Sequence, residues 1–218
     1  MIAAAIFDMD GLLLDTERRA FEIFNEVAVR FDDAVDLGTY ATFVGLPKRD
    51  FAKALSQVFA AGVPVNEMAE RFYEEVDTRL HTSGPPPKTG AVKIVAELRN
   101  RGIGLGVATS TYKQSALRAL TDANMLEYFD TMVFGDEVEV GKPAPDIFLE
   151  ACRRIGVAPE QALVFEDSPR GLKAAHGAGC RPILVPDVAA PSEAEKELAF
   201  RCYNSLSDAL EDLDALLA

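Results

Sequence analysis

The chain has 218 residues, 49% of them apolar and 26% charged, enough to bury one large core together with a small insertion. A net charge of −13 without a basic stripe argues against a nucleic-acid polymer as partner, because its phosphate backbone is gripped by clustered Lys and Arg. No apolar run approaches the about 20 residues of a membrane span. A small anionic ligand stays open, since salt screens surface charge beyond about 8 Å. Asp8 and Asp10 interrupt the N-terminal apolar stretch too early for a secretory signal, so the expected compartment is the cytoplasm. Cys152, Cys180 and Cys202 lie far apart and form no CxxC, which reads as buried filler rather than a zinc knuckle or a disulfide framework. Oligomeric state is not legible, and a monomer is compatible with this composition.

In chain order, Ala3 to Phe7 reads as a buried strand that ends at Asp8-Met9-Asp10-Gly11. A strand alternates its side chains, so an irregular turn past Phe7 can aim both acids into one pocket, and Gly11 permits that turn. Asp8 is then a candidate to attack phosphorus and Asp10 to protonate the leaving oxygen; a capped strand-to-helix turn is the alternative. From Asp15 to Ser83 the pattern is helical without a convincing strand, at Glu17 to Phe31, Lys48 to Ala60 and Asn66 to His81. This stretch reads as an inserted helical lid. Leu12 to Thr16 is its outgoing hinge, and Ser83-Gly84-Pro85-Pro86-Pro87 its proline-stiffened return linker. The expected division is a core of residues 1–15 and 83–218 with a cap of residues 16–82.

Beyond the linker, strand-like runs at Ile103 to Thr109, Thr131 to Phe134, Ala162 to Phe165 and Arg181 to Val185 alternate with helical patterns. Such alternation predicts an α/β fold, a three-layer Rossmann-like parallel sheet covered on both faces, with ligands beyond the carboxyl ends of its strands. The tail from Pro191 to Ala218 has helical spacing and is expected to pack on the core.

Those strand ends carry polar groups. Thr109-Ser110-Thr111 follows the second strand, as a phosphate cradle or as an N-cap. Lys142, in Lys142-Pro143-Ala144-Pro145, can neutralise Asp8 and a phosphate, or can simply be solvated. Glu166-Asp167-Ser168-Pro169-Arg170-Gly171 puts two adjacent acids directly after a buried run, where uncompensated charge is costly and a cation would resolve it. Oxygen-only ligands point to a hard ion such as Mg²⁺. Ser168 caps the next helix and Pro169 starts it.

Together and in this order, Asp8 to Gly11, Thr109, Lys142-Pro143 and Glu166 to Gly171 resemble the haloacid dehalogenase-like superfamily of phosphotransferases, over essentially the whole chain. The helical insertion after the first motif resembles the family's small α-helical cap, shared by β-phosphoglucomutases and many sugar-phosphate phosphatases. The resemblance implies Asp8 as nucleophile forming an aspartyl-phosphate and Asp10 as general acid, then base for water. It implies Mg²⁺ held by Asp8, Asp167 and the Asp10 carbonyl, with Glu166 helping directly or through water. Thr109 and Lys142 are to bind the transferred phosphoryl group, with Gly11, Ser110 and Thr111 as further substrate contacts.

The acid at position 10 speaks against a dehalogenase, whose halide leaves without a proton. The expected activity is therefore a Mg²⁺-dependent phosphatase acting on a small phosphorylated metabolite. A β-phosphoglucomutase-type mutase is the first alternative, because Val44 to Asp50 resembles the stretch that grips the distal phosphate there. Ala20 stands where those mutases carry a histidine, and Lys48 with Arg49 where they carry a cap arginine, which lowers that reading. Lys48 and Arg49 are candidate substrate contacts or plain surface charges. A catalytically inactive binding module is the second alternative. His81 and His176 belong to no recognisable triad.

Overall fold

The computed structural model describes residues 1–44, 46 and 48–218, and of residues 48, 49 and 80–83 the backbone alone. Its elements run β1 (Ala4–Phe7), α1 (Thr16–Ala28), α2 (Leu37–Ala41), α3 (Lys48–Val58), α4 (Val65–Ser83), α5 (Ala91–Asn100), β2 (Gly104–Ala108) and α6 (Lys113–Asp122). There follow β3 (Thr131–Val133), α7 (Asp146–Ile155), β4 (Ala162–Glu166), α8 (Pro169–Gly177), β5 (Arg181–Leu184), α9 (Glu193–Leu198), β6 (Arg201–Cys202), α10 (Leu206–Glu211) and α11 (Leu213–Leu217). All strands are parallel, in the order β3-β2-β1-β4-β5-β6. The chain builds outward from β1 through β2 to β3, then returns to lay β4 on the other side of β1. The connections after β1 and β4 therefore diverge to opposite sides and leave a crevice at the carboxyl edge between them.

The alternation of side chains along β1 sorts the core into two layers. Ala5 and Phe7 pack with Leu105, Val107, Leu163 and Phe165 under the helices α5, α6, α10 and α11. Ala4 and Ile6 pack with Val164 under α7 and α8. The Phe7 and Phe165 rings stack at 4.6 Å across the β1–β4 pair, in register with each other. The next residues, Asp8 and Glu166, thus emerge at the same level of the sheet, and the Asp8 N–H donates to the Phe165 carbonyl at 3.0 Å.

Residues of α1 to α4 build a separate core with its own apolar filling. Phe24 sits fully buried at its centre, in ring contact with Tyr40, Phe43, Phe51, Phe59 and Phe72. The two chain crossings to the sheet are joined to each other. The Asp15 N–H donates to the Pro86 carbonyl at 2.9 Å, and the Lys88 N–H to the Leu13 carbonyl at 2.8 Å.

Five details differ from the reading of the sequence. The tail holds a two-residue edge strand, β6, too short to show periodicity. The five-residue helix α2, started by the Asp36 carboxylate accepting from the Thr39 N–H at 2.9 Å, is likewise below the length that a 3.6-residue repeat reveals. Ser83 ends α4 rather than opening the linker. Leu12, Leu13 and Leu14 are fully buried in a tight turn, in which the Leu13 and Leu14 N–H groups both donate to the Met9 carbonyl at 3.0 Å. Cys152 and Cys180 are buried as expected, but Cys202 lies exposed on β6.

Phe24→Ala removes the ring on which the helical core converges. Denaturant unfolding of this variant is expected to show a loss of about 3–5 kcal/mol, the usual cost of deleting a buried aromatic ring.

Candidate active site

Lys142 organises the carboxyl edge of the sheet. Its ammonium group has three hydrogens, and three acceptors meet it: Asp8 Oδ1 at 2.5 Å, Glu166 Oε1 at 2.5 Å and the Ala108 carbonyl at 3.0 Å. The amine also lies over the Phe148 ring, 4.9 Å from its centre, and the side chain is buried. Burial pulls the Lys142 pKa down, but the facing Asp8 and Glu166 carboxylates outweigh it and keep the group charged. Arg170 fixes the same segment, donating from Nε to the Lys142 carbonyl at 3.1 Å.

Glu166 has no solvent exposure, and both its oxygens are engaged. Oε1 takes Lys142, and Oε2 accepts from the Ser168 N–H at 3.2 Å and hydroxyl at 3.0 Å. Ser168 also caps α8 by accepting from the Gly171 N–H at 3.0 Å, with Pro169 starting the helix as expected. A Cβ on Gly171 would lie 1.7 Å from Glu166 Oε1, so only glycine leaves room for that carboxylate.

Asp10 is held differently, by hydroxyls. Thr111 Oγ1 donates to its Oδ2 at 2.6 Å and Thr109 Oγ1 at 3.4 Å. Burial raises the Asp10 pKa against the opposing pull of the Thr111, Thr16 and Thr109 hydroxyls. Asp167 is also pushed well up, first by burial and then by the charges of Asp8 and Glu166. Oxygens of Asp8, Glu166 and Asp167 approach within 4.8 Å of one another. One lysine thus faces a concentration of acids at the sheet edge, and all-oxygen donors in that arrangement fit a hard divalent cation.

A cavity of about 330 Å³ opens onto this cluster. Asp8, Asp10, Thr109, Ser110, Lys142 and Asp167 line it. Thr111 instead turns its hydroxyl to Asp10 and lines a neighbouring crevice between α4 and α6. Gly11, at φ +79°, spends its N–H on the Leu14 carbonyl at 3.0 Å and Thr16 Oγ1 at 2.9 Å, which places it behind the cavity rather than in it. The side chains of Lys48 and Arg49 lie outside the described residues.

The profile of haloacid dehalogenase-like hydrolases matches residues 5–185 of the chain, from β1 past β5. The chain belongs to this family. A phosphorylated carbohydrates phosphatase from Thermotoga maritima is 35% identical over 83% of both chains. The Escherichia coli fructose-1-phosphate phosphatase YqaB is 34% identical over 84% of this chain and 96% of its own. The crystal structure of CbbY from Rhodobacter sphaeroides in complex with phosphate superposes with a TM-score of 0.66 at 29% identity, over 96% of each chain.

Of the residues around this haloacid dehalogenase-like site, Glu17 is the one that nothing in the sequence singles out. Glu17, Val44 and Arg170 line the same cavity. An acid in the first turn of α1 reads as a dipole complement, so no sequence signal marks Glu17 as a site residue. Its carboxylate makes no hydrogen bond or ion pair among the described residues. Burial, with Asp10 and Asp187 nearby, pushes it up to about 7. The folded chain therefore holds a proton there that the unfolded chain releases from about pH 4.5 upward, and Glu17 costs stability as pH rises towards 7. Glu17→Gln is expected to melt at a higher temperature than the parent above pH 7 and at the same temperature below pH 4.5, as a calorimetric pH series will show.

Proposed function

We propose that this protein is a Mg²⁺-dependent phosphatase that hydrolyses a small phosphorylated metabolite, a sugar phosphate or similar ester, through an aspartyl-phosphate on Asp8. It is a phosphoric monoester hydrolase, and relatives named for phosphorylated carbohydrates and fructose 1-phosphate support the substrate class. The observation that carries the mechanism is the pairing of two differently held acids in one cavity. Asp8 is braced by a buried ammonium, whereas Asp10 has its pKa raised by burial and lies within reach of the Thr111 and Thr109 hydroxyls. Asp8 attacks phosphorus while Asp10 gives its proton to the leaving alcohol, then takes one from the water that cleaves the acyl phosphate. Lys142, Thr109 and the Ser110 side of the cavity receive the phosphoryl oxygens.

Asp8, Asp167 and the Asp10 carbonyl would hold Mg²⁺, with Glu166 acting through water because both its oxygens are occupied. Bound there, the ion would neutralise charge on the transferred phosphoryl group. Residues 16–82 form the cap over a core of residues 1–15 and 83–218, with Lys48 and Arg49 as its candidate contacts to the remote end of the substrate.

Phosphate release measured across phosphorylated metabolites tests the reading. Isomerised ester instead of free phosphate would make it a mutase, and no turnover of any ester a binding module. Asp8→Asn is expected to abolish turnover in a folded protein. Asp10→Asn is expected to lose about 10²–10⁴-fold on an alkyl phosphate and far less on nitrophenyl phosphate, whose leaving group needs little proton donation. Equal losses on both would remove Asp10 from the role of acid.

Activity is also expected to vanish with EDTA, to return with Mg²⁺ and to be inhibited by Ca²⁺, which prefers more ligands and longer bonds. Full turnover in metal-free buffer is the contrary result.

A further inference from the structure

Asp187, just beyond β5, belongs to none of the motifs above. Its side chain is 4% exposed. Oδ1 is paired with the Lys88 ammonium, whereas Oδ2 is fully buried with no hydrogen-bond partner among the described residues. A buried carboxylate oxygen left unpaired is costly, and native structures seldom keep one without a donor that binds there. The surroundings of Oδ2 show where such a donor would come from. A Cβ on Gly11 would lie 3.3 Å from Asp187 Oδ2 and 2.3 Å from Asp167 Oδ2, so the two carboxylates face each other across the bare Cα of Gly11. Asp167 is one of the three acids placed to hold a cation. Asp187 adds to the upward push that burial, Asp8 and Glu166 exert on Asp167.

We propose that Asp187 is a positioning residue of the metal centre, whose Oδ2 accepts a hydrogen bond from a water on the cation held by Asp8 and Asp167. This rests on the metal reading given under the proposed function. Outer-shell acceptors of this kind orient the water shell and raise metal affinity. The other oxygen gives the arrangement a second consequence. Lys88 pairs with Asp187 and also reaches Asp15 at 3.4 Å, and its N–H is bonded to Leu13, so the same carboxylate ties the cation to both chain crossings of the cap.

The test is Mg²⁺ binding by titration calorimetry on the whole protein, with the metal-induced rise in melting temperature as a second readout. Asp187→Asn keeps the shape and removes the charge. It is expected to weaken Mg²⁺ binding about 10-fold or more, within the range found for outer-shell partners, and to shrink the metal-induced rise. Lys88→Met leaves Asp187 in place without its competing cation, and is expected to bind Mg²⁺ several-fold more tightly; it decides the matter if Asp187→Asn does not fold. A folded Asp187→Asn protein with wild-type Mg²⁺ affinity, or a Lys88→Met protein with unchanged affinity, overturns the proposal and leaves Asp187 as a partner of Lys88 alone. Absence of Mg²⁺ binding by the wild-type protein is a different result, which overturns the metal reading and this proposal with it.

Discussion

The buried ammonium of Lys142 is the interaction on which the carboxyl edge of the sheet depends. Asp8 and Glu166 leave adjacent parallel strands at the same level, so their carboxylates are forced close together in a region of low solvent access. Two such charges repel strongly where water cannot screen them. Lys142 converts that repulsion into a bridge between them, and the Ala108 carbonyl satisfies its third hydrogen. A buried lysine of this kind is seldom a net gain in stability over apolar packing. Its value lies in holding Asp8 in one orientation, which is what a nucleophile requires.

The sheet order explains why so many polar groups can converge without disrupting the core. The central strands β1, β2 and β4 are apolar on both faces up to their carboxyl ends, where the polar groups begin. The reversal of strand order between β1 and β4 opens a crevice there. Small residues shape it. Gly171 makes room for Glu166, and Gly11 lets Asp167 and Asp187 approach from two sides.

Across the cavity the helical segment contributes a different chemistry. Its core is aromatic and separate from the layers of the sheet, to which the chain crosses at Asp15 and Lys88. Among the described residues it presents Glu17 and Val44 to the acids beneath, a carboxyl group and an apolar surface. Burial is the first cause of the raised pKa of both Asp10 and Glu17, and for Glu17 the charges of Asp10 and Asp187 add to it.

The amino-acid sequence by itself determined the alternation of strands and helices, the insertion after the first strand and the positions of Asp8, Asp10, Lys142, Glu166 and Asp167. Each of these is written in short-range patterns: apolar runs of strand length, helical spacing, and acids or a lysine placed at the end of a run. Only the tertiary structure decided which of them touch. That Lys142 is buried between two acids rather than solvated follows from the order of the strands, which local pattern does not encode. The turn of Thr111 towards Asp10, the withdrawal of the Gly11 N–H from the cavity, and the entry of Glu17 and Asp187 into the neighbourhood of the site have the same origin. Each results from contacts between segments far apart in the chain, and an isolated acid in a helix start or after a strand carries no local mark of the charge it will face once the chain is packed.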